Sequence, residues 1–142
     1  MTVYADGQYA ESASVAEDGS ISLQTWVNRA LVGIPYTSVV KTLPIIVMQP
    51  TGSTAGKVAR IDAITLDFYK TLGVEYGQDA NDVKPVKFYD NSQSRPYPFF
   101  TGLKAMPFQF GFNRDNIVYL ETDKPLPFCL RLIKPSITIT ER

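Results

Sequence analysis

Apolar and polar residues alternate with a period of two in the middle of the chain. Ile64, Leu66 and Phe68 are separated by single polar residues, and this pattern predicts a strand with one buried face. Helical offsets also fit the segment 57–72, but its many β-branched and aromatic residues favour a strand. The alternation changes phase at residues 62–63, and such a change predicts a β-bulge there.

Two Asp-Gly pairs occur near the start of the chain, at residues 6–7 and 18–19. Both central positions of a type I′ turn need positive φ, so an Asp-Gly pair is a strong hairpin signal. Their regular spacing indicates a meander, and we expect residues 1–28 to form an arm at the edge of the domain. The predicted hairpins join residues 2–5 with 8–11 and residues 13–16 with 20–23.

Turn-forming residues divide the rest of the chain into further short strands. Pro35 interrupts one apolar stretch, and because proline cannot donate to a ladder we expect a bulge or a strand crossover there. The stretch Thr-Gly-Ser-Thr-Ala-Gly at 51–56 is typical of a surface loop. The predicted strands also cover residues 30–34, 36–43, 85–90, 117–121, 128–133 and 137–140.

The number and length of these elements predict the fold class. About nine to twelve short strands separated by frequent turns are typical of a sandwich or a barrel. We therefore expect an all-β fold, with a β-sandwich or jelly-roll-like double sheet of short antiparallel strands. A length of 142 residues fits one domain over residues 1–142.

Aromatic residues are concentrated between residues 88 and 112. Core packing explains most of them, because Phe dominates the set and buries a large area. Tyr97, Phe99 and Phe100 lie among prolines, and we take them as a candidate interface, since exposed rings can stack on sugars or anchor a protein contact. One strand face is expected to carry Phe108, Phe110 and Phe112.

Charge and composition exclude several classes of function. The 14 basic residues equal the 14 acidic ones, so the chain lacks the basic footprint of a tight nucleic-acid binder. The sequence has no histidine, and a Ser-His-Asp or Cys-His arrangement cannot be built without one. No apolar run approaches the roughly 20 residues of a membrane span, and no secretory leader is visible. We expect neither membrane insertion nor translocation.

The remaining chemical candidates have simpler structural explanations. Asp79, Asn81 and Asp82 could bind calcium, but they lack the spacing of a calcium loop and are typical of a solvated turn. Asp67 is the one acid in apolar surroundings that could have a raised pKa. Cys129 lies in an alternating strand, where we expect a small residue in or beside the core. We therefore expect no catalytic residue, no metal and no cofactor, and a structural protein rather than an enzyme.

Several short motifs follow one another in a characteristic order. Together they resemble the C-terminal part of the tail-nozzle proteins of short-tailed bacteriophages, also called tail-hub or packaged-DNA stabilisation proteins. The resemblance covers residues 2–135. Its motifs are Val-Gly-Ile-Pro-Tyr at 32–36, Gly56 with Lys57 and Arg60, Pro-Val-Lys-Phe at 85–88, Asp115–Asn116, and Leu-Pro-Phe at 126–128.

The resemblance implies a role in the virion tail, assembled in the host cytoplasm. Such proteins form rings, usually described as hexameric, which lengthen the DNA exit channel and help retain packaged DNA. They are longer and carry a β-propeller-like region before the matching part. We therefore expect either an excised C-terminal domain or a short gene product, with other tail proteins as partners and a homo-oligomeric ring in the full-length context.

The sequence leaves one alternative function open. A carbohydrate- or receptor-binding β-sandwich of the tail tip would display Tyr97, Phe99 and Phe100 as a ring platform. For a structural role, the loops at 49–57 and 90–100 are the expected contacts, because both are long and lie between strands.

Overall fold

The protein is described by a computed structural model and contains antiparallel strands without helices in the described residues. This confirms the predicted all-β class. The described residues are 1–6, 8–23, 26–34, 36–50, 52–53, 55–89 and 98–139. The strands are β1 (Thr2–Ala5), β2 (Gln8–Ser12), β3 (Ala30–Gly33), β4 (Ser38–Lys41), β5 (Met48–Gln49), β6 (Gly52–Ser53), β7 (Ala59–Thr71), β8 (Glu75–Gly77), β9 (Val83–Pro85), β10 (Phe100–Pro107), β11 (Tyr119–Thr122) and β12 (Leu130–Ile139).

The long strand β7 is the centre of one sheet, with the order β10-β7-β12. Its residues Ile64, Leu66 and Phe68 are fully buried, and the polar residues between them lie on the other face. Period-two burial therefore holds as the sequence predicted, because each successive side chain of a strand points to the opposite face.

The predicted bulge lies at Asp62. On the partner strand β12, Ser136 pairs with Ala63 and the next residue, Ile137, pairs with Ile61, so Asp62 is the extra residue. Its carboxylate accepts hydrogen bonds from the Thr138 hydroxyl and from Arg60 Nε, the latter at 2.7 Å. The bulge explains why burial changes phase at this point of β7.

A second sheet, with the order β4-β11-β8-β9, packs on the first. Leu120 of β11 and Tyr76 of β8 belong to the same buried cluster as Phe68, and Phe68 meets Phe88 edge to face with ring centroids 5.2 Å apart. The Tyr76 hydroxyl also donates to the Pro107 carbonyl at 3.1 Å, which links the two layers. The two antiparallel sheets therefore enclose one shared core.

The N-terminal strands form a separate three-stranded sheet, ordered β2-β1-β3. The predicted hairpin at Asp6 is confirmed, and the Asp6 carboxylate accepts from the Asn28 and Arg29 amides at 2.8 Å. The second Asp-Gly pair gives a turn closed by Gly19 N–H to Ala16. Its predicted strands do not form beyond one isolated bridge, because Ala- and Ser-rich segments offer little apolar surface to pack.

Three other predictions about strands were wrong. Among the described residues, the strand expected at 85–90 has only its first residue in a strand, because β9 ends at Pro85 and residues 86–89 form no strand. The C-terminal strands expected at 128–133 and 137–140 are one strand, β12, which continues through Pro135. Among the described residues this strand pairs with β7 alone and so lies at a sheet edge, where proline is tolerated. The segment after β10 forms no strand face, because Gly111 has φ 89°; Phe108 is buried while Phe112 is exposed.

Candidate assembly surface

Exposed large apolar side chains are concentrated in residues 26–48, which we call the apolar segment. Eighteen such side chains are exposed among the described residues, and ten of them lie here. The concentration is far above the scattered single residues that occur on any protein surface. The ten residues are Trp26, Leu31, Val32, Ile34, Tyr36, Val39, Val40, Leu43, Ile46 and Met48.

These side chains are exposed because the apolar segment contributes edge strands to two different sheets. Strand β3 is the last strand of the N-terminal sheet, and β4 is the last strand of the second sandwich sheet. The chain therefore changes sheet between β3 and β4, as the predicted crossover requires, although Pro35 itself lies outside the described residues.

Strand β4 leaves one end of the sandwich open. Val40 pairs with the fully buried Leu120, and residues directly opposite in an antiparallel pair lie on the same face. Val40 is nevertheless 37% exposed, so the interior face of the second sheet reaches solvent at its edge. Leu43, just after β4, is 85% exposed.

The chemistry of the apolar segment suits contact rather than catalysis. Arg29 and Lys41 are the charged residues in its sequence, and it contains no acid. An edge strand also offers backbone N–H and C=O groups on its open side, which can pair with another strand. The apolar segment can therefore bury apolar surface against a partner, and its edge strands can pair with a strand of that partner.

Two of the three residues predicted as a ring interface, Phe99 and Phe100, lie in different environments. Phe99 is partly exposed and its ring stacks on Tyr4, with centroids 6.5 Å apart. Phe100 packs inward, 5.2 Å from the Phe88 ring. Tyr97 lies outside the described residues. The described geometry thus displays one of the three rings, so it gives no support to a three-ring platform.

The other chemical candidates are held in structural contacts. Asp67 forms an ion pair with Arg131 at 2.6 Å on the outside of the first sheet. Asp79 accepts from the Asn81 amide at 2.7 Å and closes a turn. Among the described residues, no group of three His, Cys, Asp or Glu side chains is arranged to hold a metal ion.

Cys129 is exposed, which corrects the expectation that it lies in or beside the core. Its backbone is the part that is fixed: the Cys129 amide donates to the buried Thr71 hydroxyl oxygen at 3.0 Å, and its carbonyl lies 3.1 Å from the same oxygen. Thr71 therefore fastens the segment before β12 to the end of β7.

Sequence reasoning placed strands in the apolar segment but missed its exposure. Alternation shows which residues could share a face, whereas exposure depends on which strands end a sheet. The sequence did carry one signal of exposure. The apolar segment has two charged residues among its 23 and is interrupted by Pro35 and Pro44. Prolines of this kind are common at sheet edges.

Comparisons with known proteins add no assignment. No protein-family model matches the chain, and no curated protein matches it. The described part of the chain also holds no helix with the length and apolar character that crossing a membrane requires.

Proposed function

We propose that this chain is a structural component of a short-tailed phage tail, where it helps form the DNA exit channel and retain packaged DNA. It does so by assembling into a ring and by contacting other tail proteins. The observation that carries the assembly role is the apolar segment at residues 26–48. The tail location is supported by the order of the sequence motifs.

The apolar segment has enough surface to drive association. Fully burying one large aliphatic side chain contributes about 1.5–3 kcal/mol, and Leu43 and Ile34 are 85% and 78% exposed. Ten such side chains, each partly covered, would contribute on the order of 10 kcal/mol. Association itself costs about 4–15 kcal/mol. The contact is therefore sufficient when neighbours are held at high local concentration, as they are in a tail.

The neutral charge is compatible with a conduit for DNA. A wall that neutralised many phosphates would bind DNA tightly and slow its exit, whereas this chain carries equal numbers of basic and acidic residues. A gel-shift assay at low salt should show no tight complex. Strong, salt-sensitive binding would contradict this part of the proposal.

Immunogold labelling tests the location directly. Antibodies against the purified chain would be applied to particles released from the host that carries this gene. We expect gold at the end of a short tail. Labelling of the capsid, or of no particle, would refute the proposed function whatever the chain does in isolation.

A further inference from the structure

A further bulge lies at the end of β7, at Tyr69 and Lys70. The residues on either side of it, Phe68 and Thr71, pair with residues only two apart on β10. Thr101 therefore opposes both bulge residues, and its hydroxyl accepts from the Lys70 amide at 3.0 Å. Adjacent side chains of a regular strand point to opposite faces, yet Tyr69 and Lys70 are both exposed. The bulge thus turns Lys70 away from the core.

Lys70 has a backbone conformation that lysine rarely adopts. Its φ is 45°, in the left-handed region where glycine is the usual residue. Among the described residues one other non-glycine residue has positive φ, Asp6, and it belongs to an Asp-Gly turn. Glycine would hold the same bulge with less strain, so a long cationic side chain at this position points to a function.

Arg131 also lies at a bulge, on the other neighbour of β7. Leu130 and Leu132 of β12 pair with the adjacent β7 residues Phe68 and Asp67, so Arg131 is the extra residue. Its Nη2 donates to Asp67 Oδ1 at 2.6 Å and to the Phe68 carbonyl at 3.3 Å. These bonds hold the guanidinium in place, and Asp67 balances its charge.

The two bulges bring both cations to the ring of Tyr69. Lys70 Nζ lies 5.5 Å and Arg131 Cζ 5.8 Å from the ring centroid, and Tyr69 is 45% exposed. The Lys70 ammonium has no carboxylate partner in the described part of the chain. One positive charge beside the exposed ring is therefore left uncompensated.

An exposed aromatic ring beside an unpaired cation selects a ligand with a flat apolar face and a negative charge. The C–H groups on one face of a sugar ring are attracted to the negative face of an aromatic ring, and a carboxylate accepts charge-assisted hydrogen bonds from an ammonium. A uronic acid or a sialic acid carries both features on one rigid unit. We propose that Tyr69, Lys70 and Arg131 bind an acidic sugar, with its ring on Tyr69 and its carboxylate on Lys70.

Other ligands of related chemistry fit these three side chains less well. A neutral sugar leaves the Lys70 ammonium without a partner. An acidic peptide offers the charge on a flexible side chain, and ordering that side chain costs binding free energy. The site contains no residue of the apolar segment, so this inference goes beyond the proposed function and does not depend on it.

An NMR titration of the full chain tests the site through the backbone amide signals of Tyr69, Lys70 and Thr101. The probes are tetramers of glucuronic acid, of glucose and of glutamate, each added at about 50 mM salt. We expect saturable shifts with the glucuronic acid tetramer and binding weaker by about tenfold or more for the other two. The glutamate tetramer matches the side-chain charge of the glucuronic acid tetramer, and the glucose tetramer matches its rings.

Substitution of Lys70 by glycine has a specific signature. Lys70→Gly removes the ammonium and relieves the strained φ, so binding should weaken by about tenfold or more while the melting temperature holds or rises. Lys70→Met removes the charge but keeps the strain, and it should weaken binding without a gain in stability. Tyr69→Leu should weaken binding by removing the ring.

Lys134→Gly is the matched control. Lys134 is an exposed cation on the outer face of the same sheet, opposite Thr65, and its φ is not positive. Glycine weakens a regular strand, so this variant should lose stability and keep its affinity for the glucuronic acid tetramer. The same change of residue is thus expected to have opposite effects at positions 70 and 134.

Several results would overturn the proposal. Absence of saturable shifts with the glucuronic acid tetramer would remove the ligand. Equal binding of the glutamate tetramer would leave charge alone as the cause, and equal binding of the glucose tetramer would leave the ring alone. Unchanged binding by Lys70→Gly, or an equal loss of binding by Lys134→Gly, would show that the strained lysine is not the selective group.

Discussion

Truncating one leucine on each side of the first sheet should have very different consequences. Leu66 and Leu103 belong to the adjacent strands β7 and β10, but Leu66 is fully buried between the sheets and Leu103 is 64% exposed on the outside. Alanine substitution removes the same atoms at both positions. Only the surroundings of the two side chains differ, so comparing the two variants tests which face of the first sheet is buried and which is exposed.

The expected cost follows from burial. Leu66→Ala removes apolar surface from the centre of the shared core and leaves a cavity, which costs about 2–5 kcal/mol in comparable sites. A domain of this size has a total stability of about 5–15 kcal/mol, so at least about an eighth of it would be lost. With a urea m-value of about 2 kcal/mol/M, the unfolding midpoint should fall by roughly 1–2.5 M. Leu103→Ala should change stability by less than about 0.5 kcal/mol.

Urea unfolding followed by circular dichroism measures both variants at a concentration where the chain is monomeric. Equal losses of stability would refute the reasoning, because they would place both side chains in similar surroundings. A larger loss at Leu103 would mean that the sheet is turned over.

Three further substitutions test local features of the fold. Gly77→Ala would place a Cβ 2.1 Å from the Asp82 carbonyl oxygen, so we expect a loss of about 1–3 kcal/mol in thermal or urea unfolding; unchanged stability would contradict the close approach. Thr71→Val leaves the backbone groups at the start of β12 without their buried hydroxyl partner and should cost about 1–3 kcal/mol, with faster amide exchange at Cys129 as the specific readout. Hydrogen bonds from Thr138 and Arg60 lower the pKa of Asp62 below its ordinary value of 3.8, so its contribution to stability is present above pH 3.8 and is lost as the pH falls through the folded-state pKa. Asp62→Asn should therefore destabilise the protein at pH 7, and the gap to the wild type should shrink as the pH falls below 3.8 towards the folded-state pKa; a gap that does not change with pH would refute this.

A control substitution accompanies the glycine prediction. At Gly33 an added Cβ meets nothing within 4 Å, and its φ is not in the left-handed region. Gly33→Ala should therefore leave stability unchanged or raise it slightly, since alanine reduces the conformational freedom of the unfolded chain.

The sequence was most informative where one strand carried its own signal. Alternation along β7 predicted its buried face, and a change of phase located the bulge to within one residue of Asp62. The Asp6 hairpin was equally local, because its signal is a pair of adjacent residues in the sequence, and Asp6 has φ 46°. Such features depend on few residues and can be predicted from them.

Features set by topology could not be predicted in this way. Pro135 breaks a strand by local rules, yet it is accommodated because β12 has a free edge. Val40 has the apolar character of a core residue, yet it reaches solvent because β4 ends its sheet. Edge positions result from the order of strands in space, which a single sequence does not specify.

The central claim is that the apolar segment is covered by a neighbouring chain in the assembled tail. A photo-crosslinking amino acid at position 43, in place of the 85%-exposed Leu43, tests it most directly when irradiated within the particle. The account predicts a product that joins this chain to a second copy or to another tail protein, and no such product from the same crosslinker in place of the exposed Lys87. Recovery of the uncrosslinked 15.8-kDa chain from both positions would contradict it.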